Sequence, residues 1–187
     1  MKHLAEIESA AHTELGLKAR VAVGGALGRG GPRWATLIAT FFGVGRLRPG
    51  PGSWASATTL LLWAAGAHFV PLSLHTPLAI ALAVLITLIG IPAATRVARA
   101  SALKDPQFVV IDEVAGQLIA LIGVPLSWKS LLAGFILVRA FDIIKPPPIR
   151  QLEALPEGAG IMLDDVAAGI CALAVLHLLL HFGLLIS

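Results

Sequence analysis

The chain has 187 residues, of which 57% are hydrophobic and 13% are charged, and its mean hydropathy is +0.85. Soluble domains average about 45–50% apolar and about 25% charged residues, so this composition excludes a chain whose only solvent is water. The net charge of +3 comes from 14 basic and 11 acidic residues without a concentrated basic face, so we expect no nucleic-acid partner.

The first 33 residues mix acidic and basic side chains with a glycine-rich stretch. They contain no uninterrupted apolar core followed by a small-residue cleavage site, so no removable signal peptide is predicted. We expect a cytoplasmic tail or short surface helix over residues 1–33 and a membrane-embedded domain over residues 34–187. The apolar run at 34–45 is too short to cross a bilayer and predicts an interfacial or re-entrant helix.

Apolar segments further along the chain predict membrane-embedded helices. Residues 50–95 contain no Asp, Glu, Lys or Arg, which is long enough for two passes of about 20 residues, with Pro71 and Pro77 marking the turn. The predicted helices cover residues 54–70, 77–97, 111–125, 130–144 and 164–186. The third is short for a full crossing, so it is tilted, flanked by protein or packed inside the bundle. The predicted fold class is therefore all-α, a polytopic membrane bundle of about five helices plus the interfacial or re-entrant one.

If all five helices cross, nearly all of the formal charge from residue 46 onward falls on one side of the membrane. Lys129 is then the only formal charge on the opposite side. The basic bias makes the charged side cytoplasmic, with the N-terminus inside and the C-terminus outside. Five carboxylates at predicted helix ends would lie at one membrane depth: Asp112, Glu113, Asp142, Asp164 and Asp165.

Carboxylates at the edge of the hydrocarbon are costly unless a cation or hydrogen bonds compensate them, so each of these five acids is a candidate functional residue. Acids at a helix N-terminus also cap free N–H groups and suit the helix dipole, which is the structural alternative for Asp112–Glu113 and Asp164–Asp165. Three acidic clusters on one face would repel one another unless a divalent ion lay between them. Oxygen ligands of this kind suit Mg²⁺, which usually shares its shell with waters and a substrate phosphate.

Basic residues flank Asp142 at helical spacing. Arg139 lies three residues before it and Lys145 three residues after it, so on a helix the three share a face. They form either a helix-terminal salt bridge or a phosphate clamp beside the metal. The run Pro146-Pro147-Pro148 cannot continue a helix and fixes its exit, which holds Lys145 and Arg150 in defined places.

A Gly/Pro turn follows Arg46 and Arg48 and leads into a predicted helix start at Ser53. Such a turn can offer backbone N–H groups to an anion, although Gly and Pro also mark any membrane-edge turn. Cys171 lies in an apolar helix without a nearby base, which favours a packing role over a thiol nucleophile.

Four segments carry a resemblance to a known enzyme family. They are PGPGSWAS, IDEVAGQLIAL, RAFDIIKPPPIRQLE and GAGIMLDDVAAGI, in this order. Over about residues 35–180 the chain resembles the bacterial phosphatidylglycerophosphatase A family. The resemblance implies a magnesium-dependent phosphomonoesterase that acts on phosphatidylglycerophosphate at the cytoplasmic side of the inner membrane, in phosphatidylglycerol synthesis.

The resemblance also implies roles for individual residues. The acidic positions of these motifs are Asp112, Glu113, Asp142, Asp164 and Asp165, which would hold one or two Mg²⁺ ions, with one of them as general base. Arg139, Lys145 and Arg150 would neutralise the phosphate charge, with Arg46 and Arg48 as further candidates. The apolar surface between the helices would hold the acyl chains.

Two other functions also place acids in a membrane bundle. A CDP-alcohol phosphotransferase gathers aspartates around magnesium, but its paired DG-containing signature with a following AR is absent, and Asp165 is followed by Val166. A non-catalytic divalent-cation transporter would bind its ion along a conduction path, whereas the predicted helix centres here are uncharged. The sequence leaves the oligomeric state open.

Overall fold

The computed structural model describes residues 31–185, and all regular secondary structure within that range is helical. The tail predicted for residues 1–33 lies outside the described residues except for its last three. The α-helices are α1 (Arg33–Ala39), α2 (Pro51–Ala67), α3 (Leu72–Ser101), α4 (Ile111–Ala120), α5 (Trp128–Ile144), α6 (Ile149–Leu152) and α7 (Glu157–His181), with a short 3-10 turn at Val44–Arg46 between α1 and α2. The predicted all-α fold class is confirmed.

Within the described range, two helices are long and apolar enough to cross a membrane, namely α3 with 30 residues and α7 with 25. At 1.5 Å per residue these helices are about 45 and about 38 Å long, against a hydrocarbon core of about 30 Å. α2 and α5 have 17 residues each and α4 has 10. Length and composition therefore support two crossings among the described residues, and the five predicted crossings are not confirmed.

The predicted helix over residues 111–125 is shorter than expected, because α4 ends at Ala120. Gly123 then adopts a left-handed conformation with φ of 70°, which glycine tolerates better than other residues, and Pro125 follows. With 10 residues, α4 is about 15 Å long and does not cross a bilayer by itself.

α4 is the shortest of these apolar helices and lies at the centre of the bundle. Nine of the ten residues of α4 are buried, and Glu113 is the exception. α4 packs against α2, α3, α5 and α7. Its crossing with α7 is closest where Gly116 faces Gly169, because a Cβ on either glycine would collide with the backbone of the other helix. Small residues allow such close approach of helices, and this crossing places Asp165 beside the start of α4.

α1 packs against α3 on one flank of the bundle. The guanidinium of Arg96 lies 4.9 Å from the ring centre of Trp34, a cation–π contact. The backbone N–H of Val110 donates to the carbonyl of Ala39 at 2.8 Å, which ties the segment before α4 to α1. The chain reverses after α1 through Phe41 and Phe42, both with positive φ.

Candidate active site

All eight acidic residues of the described part of the chain line one cleft of about 380 Å³. The cleft lies where α2 and α4 begin, where α5 ends and along the first turns of α7. The five predicted acids are all present there: Asp112, Glu113, Asp142, Asp164 and Asp165. Arg139 and Lys145 line the same cleft. Arg46, Arg48 and Arg150 are exposed and are not among its lining residues.

The two acidic pairs occupy different positions in their helices. Asp112 and Glu113 occupy the first turn of α4, although no side chain caps that helix. Asp164 and Asp165 do not begin a helix as predicted, because α7 starts at Glu157. They lie about two turns inside α7, so the helix-capping alternative does not apply to this pair.

α7 begins early because its glycines fit against neighbouring backbone. A Cβ on Gly158 would collide with the carbonyl of Ile91 and the hydroxyl of Thr95, and one on Gly160 would collide with the carbonyl of Leu155. Gly158 N–H donates to the Thr95 hydroxyl at 3.2 Å. Glycine is a poor helix former, so tertiary contact and not local propensity sets this helix start.

Three carboxylates form the centre of the cleft. One oxygen each of Asp112, Glu113 and Asp165 lies within 4.8 Å of the others. Asp112 is 8% exposed and Asp165 is 3% exposed. Within residues 31–185, Oδ1 of Asp112, Oε2 of Glu113 and Oδ1 of Asp165 have no hydrogen-bond partner. We call Asp112, Glu113 and Asp165 the carboxylate triad.

The electrostatics of the carboxylate triad favour a bound cation. Asp112 and Asp165 are buried, so water screens little of the repulsion between their charges and that of Glu113. Two buried acids and a partly buried third, each with an unpartnered oxygen, are costly when ionised, and hard oxygen donors at this spacing suit a divalent cation. The residues therefore fit Mg²⁺.

Arg139 projects from α5 beside the carboxylate triad. Its Nη1 lies 2.9 Å from Oδ2 of Asp142 and 3.6 Å from Oε1 of Glu113. Neither contact has hydrogen-bond geometry, and among the described residues Nε and Nη1 of Arg139 have no hydrogen-bond partner. Electrostatic attraction to the two carboxylates thus positions the guanidinium, and its unpartnered N–H groups can donate to an anion in the cleft.

Lys145 is committed to a different partner. It ends α5 with a φ of 45°, and its Nζ donates to Oδ2 of Asp164 at 2.7 Å and lies 3.5 Å from Oε2 of Glu153. Burial alone would lower the pKa of Lys145, but the hydrogen bond and charge of Asp164 and the charge of Glu153 outweigh it and raise that pKa. Lys145 therefore forms a salt bridge, but with Asp164 and Glu153 and not with Asp142 of its own helix, which pairs with Arg139.

Asp164 consequently differs from Asp165 in its bonding. Oδ2 of Asp164 accepts from Lys145, and Oδ1 accepts from the backbone N–H of Asp165 at 2.9 Å. Both carboxylate oxygens therefore have a hydrogen-bond partner within the protein. The sequence treats the two aspartates as one cluster, whereas the structure gives Asp164 protein partners and leaves an oxygen of Asp165 without one.

Several further residues do not stand out in the sequence. Gly52 of α2 lies against Glu113, so closely that a Cβ there would collide with the carboxylate and lie 2.9 Å from Nη1 of Arg139. Ser56 of α2 and Gln117 of α4 do not line the cleft but are fully buried, and within the described range the hydroxyl and both amide atoms lack partners. Gln117 follows Glu113 by four positions, so the i, i+4 spacing of two polar residues in an apolar helix is the signal available for Gln117.

The described helices form an apolar bundle in which the carboxylate triad lies beside Arg139, an arrangement that suits an enzyme acting on a phosphate group. The chain belongs to the family described as phosphatidylglycerophosphatase A, whose model matches residues 37–180, and it is a phosphatase. The family resemblance seen in the sequence is confirmed.

Curated relatives agree on this class. The chain is 37% identical over 150 residues to phosphatidylglycerophosphatase A of Haemophilus influenzae, covering 79% of this chain and 90% of that protein. It is 31% identical over 147 residues to phosphatidylglycerophosphatase A of Escherichia coli K12, covering 78% and 83%. A Bacteroides thetaiotaomicron protein, provisionally named a phosphatidylinositol-3-phosphatase, is 36% identical over 137 residues, covering 72% and 86%. No solved structure matches the chain.

Proposed function

We propose that the protein is a magnesium-dependent lipid phosphatase that hydrolyses phosphatidylglycerophosphate to phosphatidylglycerol and inorganic phosphate. The family and two of the relatives support the substrate. The observation that carries the reaction type is the carboxylate triad with unpartnered oxygens beside an arginine with unpartnered donors. A cation on the acids and a phosphate between cation and arginine would satisfy both groups.

Asp112, Glu113 and Asp165 are the residues that would hold the metal, with Asp142 on the adjacent wall of the cleft. When bound, Mg²⁺ polarises a phosphate and lowers the pKa of a coordinated water. Both oxygens of Asp164 already accept hydrogen bonds, so its role in the proposal is to fix Lys145 and, through its hydrogen bond, the backbone of Asp165.

The basic side chains have different roles in binding the substrate in this proposal. Arg139 would bind the terminal phosphate, and Asp142 would orient the guanidinium from the same helix. In hydrolysis, a cleft carboxylate would act as the base that takes a proton from the attacking water, whose oxygen forms a bond to phosphorus. The bond between phosphorus and the glycerol oxygen breaks, and that oxygen receives a proton. Arg46, Arg48 and Arg150, all exposed, would attract the anionic headgroup from outside the cleft.

The membrane arrangement in this proposal extends the two candidate crossings. α3 and α7 cross the bilayer, and α2 and α5, each about 26 Å long, cross it with local thinning. α4 packs inside the bundle at membrane depth, which gives five membrane-embedded helices with α1 at the interface. The cleft faces the cytoplasm of a bacterial inner membrane, as the basic bias indicates. The family match does not favour a phosphotransferase or a cation transporter.

Phosphate release from defined lipids tests the proposal. Purified protein in detergent is supplied separately with phosphatidylglycerophosphate, phosphatidylinositol 3-phosphate and phosphatidate, with Mg²⁺ or with EDTA. We expect phosphate release from phosphatidylglycerophosphate that requires Mg²⁺ and is far slower with the other two lipids. Faster release from phosphatidylinositol 3-phosphate would assign the substrate suggested by the Bacteroides relative instead, and release in EDTA would contradict the metal.

A further inference from the structure

A second cavity lies away from the acidic cleft, between α2, α3 and α4. This apolar groove has a volume of about 310 Å³. The side chains that define it include Thr59, Trp63, Leu78, Leu82, Val114 and Leu118. Thr59 donates its hydroxyl to the carbonyl of Ala55, so even the polar residue of this set presents mainly its methyl group. A cavity with such walls offers water too few polar partners to hold it.

The wall that α2 gives to the groove has a gap at Gly66, between larger side chains such as Leu62 and Trp63. Gly66 lines the groove, and nothing lies within 4 Å of the place where its Cβ would be. Leu62, also on the wall, is 60% exposed. An opening bordered by exposed apolar side chains on a membrane-associated protein faces hydrocarbon, so its natural occupant is apolar and flexible.

The groove and the cleft share two helices that start at the cleft. Glu113 lines the cleft, and Val114, the next residue of α4, lines the groove. On α2, Gly52 lines the cleft and Thr59 lines the groove, seven residues and about 10 Å further along the axis. A ligand with a phosphate in the cleft and an apolar tail about 10 Å away matches this layout. A phospholipid with a phosphorylated headgroup has that shape.

We infer that the groove between α2, α3 and α4 binds one acyl chain of the lipid whose terminal phosphate enters the acidic cleft. The inference rests on the proposed lipid phosphatase function. It assigns the hydrocarbon part of the substrate to a defined site that α4 shares with α2 and α3. Chain length of the substrate should then affect the reaction through the groove.

Gly66→Phe tests the groove because the new ring extends into open space. We compare kcat/KM for dipalmitoyl and dihexanoyl phosphatidylglycerophosphate in the same detergent. The expected result is about a tenfold loss with the dipalmitoyl lipid and no more than about a twofold change with the dihexanoyl lipid. Ala65→Phe is the matched control, because Ala65 is exposed on the same helix and does not line the groove. It should leave both substrates within about twofold of the wild-type value.

Retained activity on the dihexanoyl lipid shows that the Gly66→Phe protein is folded. An equal loss on both lipids, or no loss on the dipalmitoyl lipid, overturns the inference. So does a Gly66→Phe protein that keeps full activity but changes its oligomeric mass in detergent, because the groove is then a contact between copies of the chain.

Photo-crosslinking separates this inference from the proposed function. A phospholipid with a diazirine near the end of one acyl chain is irradiated with the wild-type protein, and the labelled residues are mapped by mass spectrometry. Labelling at Trp63 or Leu82 that Gly66→Phe removes supports the groove even if the wild type releases no phosphate. Labelling only outside the groove overturns it even if phosphate is released.

Discussion

At the scale of single residues, the neighbouring aspartates of α7 have opposite surroundings. Asp165 belongs to the carboxylate triad, and its unpartnered oxygen adds repulsion to the site. Asp164 is bonded through both oxygens to Lys145 and to the backbone. Adjacent substitutions of the same kind should therefore change stability in opposite directions.

We predict that Asp165→Asn abolishes phosphate release, by at least about a hundredfold, because it removes a ligand of the proposed metal. In EDTA the variant should melt at or above the wild-type temperature, since one repelling charge has gone. Added Mg²⁺ should raise the melting temperature of the wild type and leave that of Asp165→Asn unchanged. A normal Mg²⁺ response from Asp165→Asn would contradict the assignment.

Asp164→Asn serves as the paired variant. It breaks the ion pair with the partly buried Lys145, so we expect a loss of about 1–3 kcal/mol in unfolding free energy in EDTA. Because the carboxylate triad stays complete, Mg²⁺ should still raise its melting temperature. Equal behaviour of the two variants in thermal unfolding would show that both aspartates act as ligands or that neither does.

At the scale of helices, the position of the first turn of α2 depends on Gly52, which has no side chain. Gly52 lets the first turn of α2 approach Glu113 and Arg139. We predict that Gly52→Ala lowers kcat/KM by at least about tenfold, because the methyl group displaces the Glu113 carboxylate from the carboxylate triad. The measurement is steady-state phosphate release together with the Mg²⁺ concentration that gives half the maximal rate.

Gly66→Ala on the same helix is the control for Gly52→Ala. Its Cβ meets nothing within 4 Å, and alanine is the better helix former by about 0.5–1 kcal/mol. This variant should be at least as stable as the wild type and equally active on a dihexanoyl lipid. If Gly52→Ala were also fully active, the close approach of α2 to Glu113 would have no part in the reaction.

The helices themselves were largely predictable, since long apolar runs without charge have few other structures open to them. The start of α7 was not, because residues 157–163 read as part of a polar, glycine-containing loop. Contacts of Gly158 with Ile91 and Thr95 on α3 make that stretch helical, and no local pattern encodes contacts across 60 residues of chain. The end of α4 was not predicted because the apolar sequence continues past Ala120, whereas the helix stops before the left-handed Gly123.

The acids of the site were predictable because ionised side chains among apolar helices need a reason to exist. The difference in bonding among these acids was not predictable. The spacing of Arg139, Asp142 and Lys145 suggested one cluster, but the side chain of Lys145 turns to Asp164 on another helix. Only the folded arrangement separates the carboxylate triad from the paired Asp164.

At the scale of the whole molecule, the proposed topology places the two ends of α3 on opposite sides of the membrane. We predict that a membrane-impermeant maleimide labels Ser73→Cys in intact spheroplasts and labels Lys104→Cys only after the membrane is opened. Both variants carry Cys171→Ala, since Cys171 is the single natural cysteine. Ser73 is exposed in the first turn of α3, and Lys104 is exposed and lines the cleft. Labelling of both sites from the same side would show that α3 does not cross.

Between residues 31 and 185 every negative side chain lies in the acidic cleft, so the remaining surface of this part carries cations alone. Such a surface distinguishes lipids by their charge before any of them reaches the carboxylate triad. Phosphatidylglycerophosphate carries more negative charge than phosphatidylglycerol, so the long-range attraction is stronger for the reactant than for the product. The same charge distribution that gathers the substrate would thus let the lipid diffuse away once its terminal phosphate is gone.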